Sequence, residues 1–269
     1  MTSEFRPITP DIYTATSGEP QVGEFILTDP ATELIENSRP FFNWLMEWQA
    51  GRPSLDLAAE MQARGLKSEN VAILSADMVN GFCYEGNLAS PRIAALVPAI
   101  VGLFKQAHAL GIRNFVLAED HHDPNALEFR QYGPHCIVGS SEAQTIAELA
   151  NLPFANDFTI VPKNCLSFAI HTDFSGWLRE HPEVKLYIVV GDCTDLCVYQ
   201  MAMYMRMEAN ARNVHDVEII APMNMVDTYD LSVETAQRIG ALPHDADLLH
   251  PLFLYHLALN GVQIVSDVK

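Results

Sequence analysis

Two cysteines and two acids are gathered in Gly191-Asp192-Cys193-Thr194-Asp195-Leu196-Cys197-Val198, the clearest nucleophile-bearing stretch of the chain. A thiol that attacks a carbonyl needs a base to take its proton, a cation nearby and donors for the oxyanion. Asp77 is the candidate base and Lys163 the candidate cation. The backbone N–H groups of Cys193 and Cys197, in a tight turn, are the candidate oxyanion hole. A second constellation runs from Asp120 through His122 and Glu128 to His135. Asp120 and His122 alternate, so on an extended segment both side chains point the same way, and His121 and Asp123 point the other way. Mixed carboxylate and imidazole ligands suit zinc, iron(II) or manganese(II). A solvated, histidine-rich loop is the competing reading of that stretch.

The elements around these residues are those of a layered α/β protein. Leu186–Val190 is a run of strand formers, and the segment from Tyr199 to about Arg212 has helical character. Gly191 permits a sharp turn between them, and Thr194 or Asp195 is a suitable N-cap, because a side-chain oxygen there accepts an orphan backbone N–H. Cys197 then falls in the first helical turn, where the macrodipole and free N–H groups favour a thiolate. A buried structural cysteine is the alternative at that position. Further apolar strands are expected at Val71–Ser75, Asn114–Ala118, Thr159–Pro162, Val217–Ala221 and Gly261–Val265. Helices are expected over Pro91–Gly111 and Ala246–Leu259. The alternation predicts a doubly wound, mostly parallel sheet with helices on both faces. In such sheets ligands bind beyond the carboxyl ends of the strands. Asp77, Asp120, Lys163 and Cys197 all fall at such ends.

Residues 1–68 read as an N-terminal extension to a domain over 69–269. The extension is punctuated by Pro7, Pro10, Pro20 and Pro30, with a possible strand at Glu24–Thr28, an aromatic cluster at Phe41, Phe42, Trp44 and Trp48, and helical character over Leu55–Arg64. Composition excludes several classes. A formal charge of −18 leaves no basic footprint for nucleic acid. Apolar runs fall short of the roughly 18 residues that span a bilayer. The first residues lack the pattern of a signal peptide, and five irregularly spaced cysteines suit reduced thiols, so a cytoplasmic location is expected. A dinucleotide-binding oxidoreductase is disfavoured, because no G-x-G-x-x-G follows a strand.

The motifs Asp77-x-x-Asn80-Gly81-Phe82, Asp120-x-His122, Pro134-His135, Lys163 and Gly191-x-Cys193-Thr194-Asp195-x-Cys197-Val198 together resemble the isochorismatase-like cysteine hydrolases, and within them the nicotinamidases. The resemblance spans roughly Asn70 to Val265. It implies a Cys197–Asp77–Lys163 triad acting through a thioester, and a cis peptide between Asp192 and Cys193. It also implies a divalent metal held by Asp120, His122 and His135, with Glu128 the candidate for the remaining ligand; zinc is the first expectation, with iron or manganese as alternatives. Phe82 and Tyr132 are the aromatics expected to sandwich a pyridine ring whose nitrogen meets the metal. The expected reaction is hydrolysis of a small carboxamide, nicotinamide to nicotinate and ammonia, with another amide, an N-carbamoyl compound or a ureide as the alternative. A homo-oligomer is expected. Residues 1–68 and 224–247 depart from a compact nicotinamidase and bear on the mouth of the pocket.

Overall fold

Runs of β-branched and aromatic residues become the strands of one parallel sheet in a computed structural model of the chain, which describes residues 29–269. The expected strand at Glu24–Thr28 lies outside the described residues. In chain order the elements are α1 (Pro30–Ala50), α2 (Leu57–Ala63), β1 (Val71–Ala76), α3 (Asn80–Cys83), α4 (Pro91–Ala94), α5 (Val97–Ala109) and β2 (Asn114–Asp120). They continue with α6 (Phe129–Tyr132), α7 (Ala147–Ala150), β3 (Phe158–Lys163), α8 (Phe174–Glu180), β4 (Leu186–Asp192) and α9 (Cys197–Ala211). The chain closes with β5 (Glu218–Pro222), β6 (Val226–Asp227), α10 (Val233–Ile239), α11 (Ala246–Leu259) and β7 (Gln263–Val265).

The strand order is β3-β2-β1-β4-β5-β7, every pairing is parallel, and β6 continues alongside the end of β4. Successive side chains of a strand face opposite ways. Val71 and Ile73 of β1, Phe115 and Leu117 of β2, and Ile188 and Val190 of β4 enter one core with Ile100, Leu103 and Phe104 of α5. Ala72 and Leu74, Val116 and Ala118, and Tyr187 and Val189 enter the other, with Phe174 of α8, Val198, Met201 and Met205 of α9, and Leu254 of α11. Burial on both faces is what a strand without polar alternation requires.

One expected helix is divided in the structure. The helix expected over Pro91–Gly111 is two helices, because Pro98 has no N–H to donate to Ala94 and its ring crowds that carbonyl. By compactness the chain divides into Met1–Pro40 and Phe41–Lys269, so the boundary drawn at 68/69 falls inside the larger unit. Within that unit Leu55, Leu57 and Met61 are core residues beside Val71 and Ile73. The N–H groups of Leu55 and Leu57 donate to the carbonyls of Asp267 and Lys269 at 2.9 and 2.7 Å. Phe41, Trp44 and Trp48 meet the ring of Tyr255 on α11 with centroids 5.3–6.2 Å apart. Among the described residues no helix is long and apolar enough to cross a membrane.

Candidate active site

The carboxyl edge of the sheet brings the sequence-picked residues together. β1 ends at Ala76 and delivers Asp77, β2 ends on Asp120, β3 on Lys163, and β4 leads through the turn to Cys197, the first residue of α9. In register, Asp120 pairs with Lys163 across β2 and β3. Asp77 has a positive φ of 53°, a conformation Asp tolerates better than bulkier residues. Its Oδ1 accepts the backbone N–H of Asp120 at 2.8 Å, which fixes the carboxyl against the end of β2.

Lys163 is the hub. Its Nζ lies 2.8 Å from Asp77 Oδ2, 2.5 Å from Asp120 Oδ1 and 3.5 Å from Cys197 Sγ, and its side chain is fully buried. Burial opposes the ammonium charge, but Asp120, Asp77 and Cys197 outweigh it and hold Lys163 well above the ordinary lysine range. Burial, then the Asp120 charge, pushes Asp77 up to about 6, against the pull of Lys163 and a hydrogen bond with Cys197. Burial would raise Asp120 too, yet the Lys163 charge, with the nearby His122 and His135 rings, brings it below the usual carboxylate range. Two acids sharing one cation are thereby driven apart, one an ordinary anion and the other able to trade a proton near neutrality.

Cys197 and its turn differ from the expectation in two respects. Neither Thr194 nor Asp195 caps α9; Leu196 occupies the N-cap position and makes no side-chain cap bond. Thr194 Oγ1 instead bonds His250 Nδ1 at 2.8 Å, and Asp195 bonds Thr228 and His244 at 2.6 and 2.7 Å, so long-range partners take both oxygens away from the helix end. The Cys197 thiol is also not depressed. Burial raises it well above the ordinary thiol range, Lys163 works against this, and Asp77 and Asp120 add to it. The local effect of the helix end is overridden by desolvation among acids, and the resting sulfur is a thiol that needs a base.

The turn itself depends on Gly191, which has φ 109° and on which a Cβ would lie 2.0 Å from the carbonyl oxygen of Ala76. The peptide bond between Asp192 and Cys193 is cis. The N–H of Thr194 donates to Asp227 O, and those of Leu196 and Val198 donate to Cys193 O.

The ligand atoms of Asp120, His122 and His135 lie within 4.8 Å of one another, all three residues buried. Asp120 Oδ2 is 3.3 Å from His122 Nε2 and 3.7 Å from His135 Nε2. The opposite ring nitrogens face acceptors: His135 Nδ1 lies 2.8 Å from Gly133 O, and His122 Nδ1 lies 3.2 Å from Asn164 Oδ1. An acceptor there calls for the hydrogen on Nδ1, leaving each Nε2 lone pair aimed at a carboxylate oxygen. His122 Nε2 is buried without a hydrogen-bond partner. Three converging acceptors with no donor among them fit a divalent cation. Glu128 is not a member of this group; it precedes α6, half-buried, with Oε2 unpartnered and its carboxyl raised by burial and by Asp120. His121 faces Glu119 at 3.7 Å, outside the group.

One cleft is lined by Asp77, Phe82, Tyr132, His135, Cys193 and Cys197. The Phe82 and Tyr132 rings stand 5.7 and 6.4 Å from the His135 ring. Tyr229 and Asn164 are parts of this region that sequence reading did not pick out. Asn164 had a signal, being next to Lys163 at a strand end, whereas Tyr229 comes from a segment with no periodic pattern.

Comparison with known proteins gives the chain a family. The family model for the isochorismatase domain matches residues 71–214. The chain is 31% identical over 221 residues to nicotinamidase 1 of Arabidopsis thaliana, covering 76% of this chain and 88% of the plant protein. A pyrazinamidase of Pyrococcus horikoshii, solved in complex with zinc, superimposes with a TM-score of 0.55 at 22% identity over 73% of this chain and 98% of that one. An N-carbamoylsarcosine amidase from Thermoplasma acidophilum gives 0.54 at 20% identity, over 73% and 95%. At those identities the two structures speak for the fold alone.

Proposed function

Because the chain belongs to the isochorismatase family, as its family-model match and its plant relative establish, we propose that it is a cysteine-dependent amidohydrolase that converts nicotinamide to nicotinate and ammonia. The observation that carries the reading is the buried Lys163 ammonium, in reach of Asp77, Asp120 and Cys197 at once, beneath a cleft that the thiol and the Asp–His group share.

The chemistry follows from the groups present. Asp77 takes the proton of the Cys197 thiol, and the sulfur attacks the carboxamide carbon. Lys163 offsets the charge that passes between Asp77 and the sulfur. The N–H groups of Cys193 and Cys197, which the bonds within the turn leave aside, face the developing oxyanion. Asp77 returns its proton to the departing nitrogen, so ammonia leaves and a thioester to Cys197 remains. Water, deprotonated by the same carboxylate, then releases the acid and restores the thiol. Asp120, His122 and His135 would hold the divalent cation, zinc first among the candidates, which when bound supplies a Lewis acid for a ring nitrogen. Phe82 and Tyr132, which line the cleft beside His135, would flank such a ring.

Hydrolysis of an N-carbamoyl compound or ureide on the same residues is the second reading, supported by the fold shared with the N-carbamoylsarcosine amidase of Thermoplasma acidophilum. A panel of nicotinamide, pyrazinamide, benzamide and N-carbamoyl amino acids, assayed for ammonia, separates the two. Nicotinamide turned over well above the rest supports the proposal, and preference for an N-carbamoyl compound replaces it.

A further inference from the structure

Residues 227–245 are tied to the nucleophile turn by a device that the chemistry above leaves unused. Asp195, two residues before Cys197, accepts a hydrogen bond from Thr228 Oγ1 at 2.6 Å with one oxygen and lies 2.7 Å from His244 Nε2 with the other. Its two oxygens therefore grip the segment near both its ends. His244 Nδ1 donates to the carbonyl of Tyr229 at 2.8 Å, and the backbones of Leu231 and His244 exchange two bonds of 2.8 Å that close the loop. Both imidazole nitrogens face oxygen, the arrangement of an imidazolium against a carboxylate. The shifts agree: burial opposes each charge, yet the two partners hold His244 above and Asp195 below their ordinary values. Asp195 and His244 are both buried.

What this ion pair holds is the ring of Tyr229. It stacks face to face on His244, centroids 3.9 Å apart and planes 17° apart. Its half-buried side chain lines the cleft together with Cys193, Cys197, Phe82 and Tyr132. One face of the Tyr229 ring is covered by His244, so a ring brought to the cleft meets an aromatic wall backed by a second ring. Taking a charge pair out of water is costly, and removing one partner leaves the other charge buried and unpaired.

We propose that Tyr229 is a specificity-determining wall for the acyl group of the substrate, favouring an aromatic over a small aliphatic acyl group, and that Asp195 and His244 are the positioning pair that fixes this wall relative to Cys197. The inference rests on the amide-hydrolase reading only in taking the cleft as the acyl site.

The test uses the full chain and two α-bromoketones that differ only in phenyl against methyl, phenacyl bromide and bromoacetone. The rate of Cys197 alkylation is read by mass spectrometry, with ammonia release from nicotinamide followed in parallel. Tyr229→Ala is expected to lower the phenyl-to-methyl rate ratio about fivefold, the change a ring–ring contact commands. His244→Ala lowers it in the same sense, and Tyr229→Phe keeps it within about twofold, since the ring and not the hydroxyl makes the wall. In turnover Tyr229→Ala and His244→Ala raise KM for nicotinamide more than they lower kcat, and Tyr229→Phe leaves both near wild type. Tyr229→Leu replaces Tyr229→Ala should the latter fail to fold. An unchanged ratio, or equal slowing of both reagents, overturns the proposal. The expected ratios in a protein that releases no ammonia would keep the wall and remove the amide reading.

Discussion

Lys163 Nζ and Asp120 Oδ1 lie 2.5 Å apart with both side chains buried, and this contact joins the proposed Cys197–Asp77–Lys163 group to the candidate metal group. Asp120 offers its other oxygen to His122 and His135, so one carboxylate serves both sides. Changes on one side are expected to be felt on the other.

Lys163→Met removes the only ammonium within reach of Asp77 and Asp120 among the contacts described. Leaving buried acids unpaired costs about 3–5 kcal/mol. Urea unfolding should show a loss of that size at neutral pH, together with a fall in kcat of at least about a hundredfold from lost charge stabilisation. A variant of unchanged stability would mean the acids do not depend on this lysine.

Asp77, raised to about 6, should set the lower limb of the pH profile if it is the base of the proposed reaction. Below that value it is protonated and cannot accept the thiol proton; above it the carboxylate is available. The quantity kcat/KM should therefore rise with pH through an apparent pKa near 6 and then level off. Asp77→Asn should abolish turnover across the range. A profile flat from pH 5 to about 8 would rule out this carboxyl as the base.

Asn164 orients His122 through its Oδ1 and should tune the metal group without touching the thiol. Asn164→Ala is expected to weaken binding of zinc about 10- to 100-fold, the usual effect of losing such a partner. Metal content after dialysis against a graded chelator measures this independently of turnover. Equal retention in wild type and variant contradicts the role.

Gly191→Ala places a methyl group against the carbonyl of Ala76 on the neighbouring strand, at a φ that L-residues avoid. The central pairing of β1 with β4 should be lost at this end, with destabilisation of about 4 kcal/mol or more, at the upper end for point substitutions. Thermal and denaturant unfolding give the value, and a shift under about 1 kcal/mol would show that the turn relaxes.

Much of the sheet was legible because its strands are continuous apolar runs, Val71–Ala76 and Leu186–Val190 among them, and such runs have few alternatives. The polar residues at their ends followed from the topology, since a parallel sheet carries Asp77, Asp120 and Lys163 to one edge. Where local reading fell short, a distant segment had intervened. Thr194 and Asp195 have the chemistry of N-caps, but His250, Thr228 and His244 claim their oxygens from 33 to 56 residues away. Cys197 sits where a helix end lowers a thiol, but burial beside Asp77 and Asp120 decides the outcome. Leu55, Leu57 and Met61 are apolar in sequence, yet nothing local says that they belong to the core of β1 and not to a separate extension. Glu128 matched the ligand chemistry and lies near Asp120, but the loop sets it outside the three converging atoms.

The most direct test of the central claim is acid quenching during turnover of nicotinamide, followed by mass spectrometry of the peptide that contains Cys197. The account predicts a nicotinoyl thioester on Cys197 that is absent in Cys197→Ala, a variant that also releases no ammonia. Turnover retained in Cys197→Ala, or an acyl group found on another residue, would contradict it.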